Sequence, residues 1–145
     1  MVMLGQRPPP GLFDAAALLE VDQLEGLPAL LAKNGRQLFT DHQFRGLYAR
    51  TGRSSGPPSL MALTCLLQSD EGLSDRKAIE RTRFDLRWKA ALDLDPLDLR
   101  APFSKTAYVG FRARLVLHEE EGVAFEKSIR EAVRAGLLPK RLSVG

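Results

Sequence analysis

Apolar residues recur along this chain at helical spacing rather than in alternation. No period-2 run rich in Val, Ile and Thr is bounded by turn residues, so the pattern predicts an all-α fold. Asp14 is placed to cap a short helix through Glu20. Pro28 suits the first turn of a helix over Ala29 to Lys33, with Asn34-Gly35 as its stop. Asp41 is placed to cap the next, where Phe44, Leu47 and Tyr48 share a face. Thr51 to Ser59 reads as a loop, with Ser59 as the following N-cap. Leu60 to Gln68 is apolar nearly all round, which predicts a helix at the centre of the core with Cys65 buried in it.

A four- to five-residue turn containing Gly72 leads to a helix capped by Ser74, with Ala78 and Ile79 inward. Asp85 caps a further piece that turns Leu86 and Ala90 to one face and anchors Trp88 on Leu60–Gln68. The acidic, proline-containing stretch Leu92 to Leu99 breaks that helix. Ser104 opens another, with Tyr108, Phe111 and Leu115 on one stripe. In the last, Phe125, Ser128, Ile129, Ala132 and Val133 form the stripe, and Gly136 and Pro139 end it. The expectation is a compact bundle of about six to seven helices with a helix-turn-helix-like element. A flexible tail over 1–12, a helical domain over 13–138 and a C-terminal tail over 139–145 complete the layout.

Composition adds exclusions. With 145 residues, 44% hydrophobic and 27% charged, the chain has the make-up of one ordinary globular domain. No apolar run approaches the ~20 residues that span a bilayer, and Met1 to Pro10 lacks a signal-peptide core. One cysteine makes no internal disulfide, so a cytoplasmic setting without membrane contact is expected.

The net charge of +3 is unevenly spread. Residues 72–118 hold 10 basic and 6 acidic side chains, whereas the flanking segments are balanced or slightly acidic. From Arg76 to Lys89 six cations (Arg76, Lys77, Arg81, Arg83, Arg87, Lys89) face only Glu80 and Asp85. Such an excess points to phosphates, because neutralising them releases counterions. The competing reading is a solvated helix face in which Arg76–Glu80 and Asp85–Lys89 pair at i,i+4.

Candidate chemistry is sparse. His42 and His118 lie far apart, with no cysteine or carboxylate at ligand spacing. No phosphate-cradling glycine motif occurs. Asp93, Asp95 and Asp98 lack the central glycine and distal glutamate of a calcium loop, and read as a solvated linker. No catalytic residue, metal ligand or cofactor is assigned. The buried helix, short turn and basic helix do match a helix-turn-helix, whose second member meets DNA.

Several phrases, in order, resemble the N-terminal domain of bacterial insertion-sequence transposases of the DDE class, the InsH-like domain. They are Gly56-Pro57-Pro58, Leu66-Leu67-Gln68, Gly72-Leu73-Ser74-Asp75-Arg76, Asp85-Leu86-Arg87-Trp88 and Leu92-Asp93-Leu94, the last standing for an L-G-L-D-like end. Phe39 to Tyr48 and the stretch from Phe111 to Leu138 add to the likeness, which covers about two-thirds to four-fifths of the chain. The resemblance implies a module that binds double-stranded DNA at an element's terminal repeats. Arg76, Lys77, Arg81, Arg83 and Arg87 would be its contacts, with Arg112 and Arg114 as secondary phosphate contacts. In the family the first catalytic aspartate follows shortly after the Gly-Leu-Leu helix end, and this sequence stops at Gly145. The expectation is therefore a truncated piece that is not an enzyme by itself, with a separate catalytic transposase subunit or a second copy as further partners. The alternative is a helical interaction or dimerisation module, or a non-functional remnant.

Overall fold

The computed structural model describes residues 5, 7, 24–48 and 56–142. The expected helix over Asp14–Glu20, most of the N-terminal tail and residues 143–145 lie outside them. The described residues form helices joined by turns and loops and contain no strand. In chain order they form α1 (Gly26–Leu38), a 3₁₀ segment (Asp41–Tyr48), α2 (Pro58–Glu71), α3 (Asp75–Phe84) and α4 (Leu86–Leu92). Then come α5 (Lys105–Leu117), α6 (Glu119–Arg134) and a 3₁₀ turn (Lys140–Leu142).

α2 is the axle of the bundle. Leu60, Met61, Ala62, Leu63, Thr64 and Leu67 are fully buried, as the all-round apolar pattern requires. α1, α3, α4, α5 and the first 3₁₀ segment all pack on it. Cys65 departs from expectation: it is only partly buried, because it faces the edge of the α5–α6 hairpin.

Two helix starts differ from the local reading. Pro57 takes the N-cap position of α2 and Pro58 the first turn, so Ser59 lies inside the helix. The Ser59 N–H donates to Asp41 Oδ1 at 2.9 Å. Asp41 therefore ties two elements together, and Gln43 instead accepts the Thr40 N–H at 2.9 Å. Ser74, Asp85 and Ser104 do cap α3, α4 and α5, accepting the N–H groups of Lys77, Arg87 and Ala107.

Asn34-Gly35 does not stop α1, which runs on to Leu38. α4 is its most extensive partner, and a Cβ at Gly35 would sit 3.3 Å from the Ala91 carbonyl oxygen. The glycine marks a close helix crossing, and the burial of the α1 face outweighs its poor helix propensity. Trp88 is fully buried, though the helix bearing it packs more on α1 than on α2. Its Nε1–H donates to Glu71 Oε2 at 2.5 Å at the end of α2. Leu86 is exposed rather than inward, since α4 begins there at the surface, while Ala90 is buried.

The helix stops are backbone chemistry. Gly72 (φ 65°) and Gly136 (φ 77°) close α2 and α6. In each the next residue's N–H returns to the carbonyl five residues earlier, Leu73 to Gln68 and Leu137 to Ala132. Asp93 (φ 56°) does the same after α4, in place of the glycine of the L-G-L-D phrase, with Leu94 N–H returning to Lys89. α5 and α6 form a hairpin pinned by aromatic rings. Phe44 lies 5.3 Å from Phe111 and 5.9 Å from Phe125, and Phe39 lies 5.2 Å from Phe125.

Candidate nucleic-acid interface

α3 is reached from α2 through Gly72, Leu73 and Ser74, a turn shorter than expected because α2 continues through Glu71. Only Ala78 and Thr82 of α3 are buried, so most of its charged residues stand outward. What distinguishes them is whether a carboxylate already holds them.

Arg81 and Arg87 are held. Arg81 Nη1 lies 2.8 Å from Asp85 Oδ2, and Arg87 Nη2 lies 3.0 Å from the same oxygen. Both also approach Glu71 Oε1 at 3.6 Å. Burial would raise the Asp85 carboxyl, but hydrogen bonds from Arg87 and Arg81 outweigh it and keep the group below its usual value. The bond to Asp85 raises Arg87 in turn. With Trp88 on the other oxygen of Glu71, this knot fastens the end of α2 to α3 and α4.

Arg112 and Arg114 are engaged too. Arg112 binds the Asp75 carboxylate at the start of α3 and lies over the Tyr108 ring. A hydrogen bond from Gln68, then the one from Arg112, holds the Asp75 carboxyl below its usual value. Arg114 stacks 4.8 Å from the Tyr48 ring centroid and reaches the Leu47 carbonyl oxygen at 3.4 Å. These four arginines bind the helices to one another.

Lys89 is withdrawn altogether, being 1% exposed. Its Nζ donates to the backbone carbonyl of Asp98 at 2.6 Å and meets that of Asp95 at 3.4 Å. Neither expected i,i+4 pair of this region forms: Asp85 takes the two arginines, and Glu80 takes Lys77 at 3.4 Å. The acidic stretch is used locally. Asp93 pairs with Arg36 at 2.6 Å, Asp95 accepts the Leu97 N–H, and Asp98 binds the N–H and guanidinium of Arg100.

Arg76, Arg83 and Lys105 remain. Among the described residues none of the three is in an ion pair. Arg83 Nε donates to the Leu99 carbonyl at 2.9 Å, and its guanidinium lies 4.6 Å from the Phe84 ring centroid. The three cations converge on one surface hollow of about 280 Å³, shared with Ile79, Glu80 and Phe84. Lys105 belongs to another helix, outside the basic stretch from Arg76 to Lys89. A lysine in the first turn of a helix opposes the dipole, and that unfavourable placement is the signal that could have found it.

The profile of the transposase domain family DUF772 matches residues 23–114, well over half of the chain. The chain belongs to this transposase domain family. No curated protein matches it, and no solved structure does. The matched segment of the transposase domain runs from just before α1 into α5. It takes in the Glu71–Asp85 knot, all of α3 and the three unpaired cations. Among the described residues, no helix of the transposase domain is long and apolar enough to cross a membrane.

Proposed function

We propose that the chain is the DNA-binding part of an insertion-sequence transposase, contacting the element's terminal repeats through the outward face of α3. The convergence of Arg76, Arg83 and Lys105, none of them in an ion pair among the described residues, carries the reading. Cations left unpaired on one face are available to phosphate oxygens, whereas an arginine already bound to carboxylate is not. Lys77, exposed and only loosely held by Glu80, extends the face. Arg81, Arg87 and Arg112, bound to carboxylates, leave the contact set and position α3, while Arg114 holds α5 to the first 3₁₀ segment through Tyr48 and Leu47. The three-residue turn and the basic second helix support a helix-turn-helix mode of docking.

Strand cleavage and joining would come from another part of the transposase. Two-metal chemistry needs carboxylates held together on a rigid frame. Asp93, Asp95 and Asp98 are each spent on a separate local bond.

The test is the salt dependence of binding to duplex DNA. Replacing Arg76, Arg83 and Lys105 together with alanine should flatten the log–log slope by about 2.7, at roughly 0.9 per lost phosphate contact. Replacing Lys127, Arg130 and Arg134 in α6 removes equal charge and should change it far less. Equal weakening by both triple variants would reduce the effect to overall charge and sink the proposal. The same preparation should leave DNA uncut with magnesium or manganese.

A second reading, an interaction module, has its own observation. On the α5–α6 hairpin Val116 is 82% and Leu117 80% exposed, and Val123 stands beside them. Concentration-dependent self-association without DNA binding would favour it.

A further inference from the structure

We propose that Phe84 is a stacking platform for an unpaired base, so that this surface takes locally opened DNA in preference to intact duplex. The proposal rests on the DNA-binding reading above and specifies its substrate.

Phe84 ends α3 and is 54% exposed. The other phenylalanines among the described residues pack into the core: Phe39, Phe44, Phe103 and Phe111 are buried, and Phe125 packs against them. An aromatic ring left at the surface forfeits the burial that makes phenylalanine stabilising, so its position needs a reason. The ring forms a ridge between two hollows. On one side are Arg76, Arg83 and Lys105 with Ile79 and the single carboxylate of Glu80. On the other a hollow of about 620 Å³ is walled by Leu73 and Leu86 and edged by Lys77, Arg81, Glu80 and Asp85.

The two sides suit the two parts of a nucleotide. The first has three cations against one carboxylate and complements phosphate. The second has balanced charge, apolar walls and both donors and acceptors at its edge, which complements a base. Exposed Leu99 lies on the Arg83 side, where Arg83 reaches its carbonyl.

The geometry of DNA makes the choice between substrates. In an intact duplex the base faces are covered by their neighbours, and a protein reads only the edges. A side chain can use the face of a base only where the base has left the stack. A ring offered beside phosphate-binding cations is therefore matched to opened DNA. The same cations disfavour an apolar protein partner on this ridge, since docking one would strip water from them without replacement.

The experiment compares fluorescence anisotropy titrations of two labelled probes at fixed low salt. One is a paired duplex, and the other is the same duplex with a single unpaired base. The wild type should bind the second roughly 5- to 150-fold tighter, the range that stacking of one base supplies. Phe84→Ala should abolish that preference and leave paired-duplex affinity nearly unchanged. Phe84→Trp should keep it. Helical circular dichroism should be unaltered in both variants, because the ring is not in the core. Arg76→Ala should weaken both probes alike. If the wild type binds both probes equally, the DNA reading stands and the role of Phe84 falls. Binding to neither probe would overturn both. If Phe84→Ala leaves the probes undistinguished from wild type but abolishes self-association in sedimentation, the ridge is a protein contact and the proposal fails.

Discussion

Replacing Lys89 with methionine separates two opposing effects of a buried charge. The side chain is 1% exposed, and desolvation pulls its ammonium below the ordinary lysine value, partly offset by the carboxylates of Asp98 and Asp95. Methionine of similar length removes that charge at little change in volume. The loss lies in the loop after α4. The Asp98 carbonyl, held by Nζ at 2.6 Å, has no other protein donor among the described residues, whereas the Asp95 carbonyl also accepts the Asp98 N–H at 3.2 Å. A hydrogen bond to a charged group contributes about 1.5–3 kcal/mol net, and relief of the desolvation returns part of it. Lys89→Met should therefore destabilise by about 1–2 kcal/mol, a fall of roughly 2–8 °C in Tm.

Lys89→Ala should cost more, about 3–4 kcal/mol, because the buried stem is lost as well. Urea unfolding with an unchanged m value measures both, and hydrogen exchange of the Leu97 to Arg100 amides locates the effect. A Lys89→Met variant as stable as the wild type, with unchanged exchange in that loop, would refute the assignment of Lys89 as the loop's anchor.

Glycines at two helix positions should respond in opposite ways. Gly110 in α5 has open space where a Cβ would go, so Gly110→Ala should stabilise by about 1 kcal/mol. At Gly35 the contact with Ala91 cancels that gain, and Gly35→Val should cost on the order of 3 kcal/mol; equal stabilisation by Gly35→Ala would remove the close crossing. The Cys65 thiol, pushed by burial from 9.0 to about 11, should react slowly with a disulfide reagent at neutral pH. An acid whose folded value is raised stabilises the fold fully below its unfolded value. That contribution is lost as the pH rises through the folded one. Unfolding free energy should thus decline between pH 9 and 11, and Cys65→Ala should make the decline shallower but not abolish it. Tyr108, raised chiefly by burial, keeps its own share.

Much of the architecture is legible in local pattern. Helical periodicity, the three side-chain caps Ser74, Asp85 and Ser104, and the glycine stops at 72 and 136 are encoded within a few residues of where they act. Each satisfies backbone groups at its own helix end. The all-round apolar run in α2 likewise announces its own central position. What local pattern misreads is set by neighbours distant in sequence. Gly35 looks like a stop because its propensity is poor, yet α4, more than fifty residues on, needs that gap to approach α1. Ser59 looks like a cap, but the helix already begins at Pro58, and Asp41, 18 positions upstream, satisfies the Ser59 N–H as one of its first-turn donors.

The candidate site divides in the same way. The sequence by itself determines that the middle of the chain carries an excess of Arg and Lys. Whether a cation is free depends on which carboxylates the fold brings beside it. Glu71 and Asp85 lie in different elements, and only packing joins them around Arg81 and Arg87. Asp75 reaches Arg112 across 37 positions, while Lys105 comes from α5 to complete the face begun by Arg76 and Arg83. Charge is a property of each residue, but its availability is set by the three-dimensional distances between charges, and those exist only once the helices have packed.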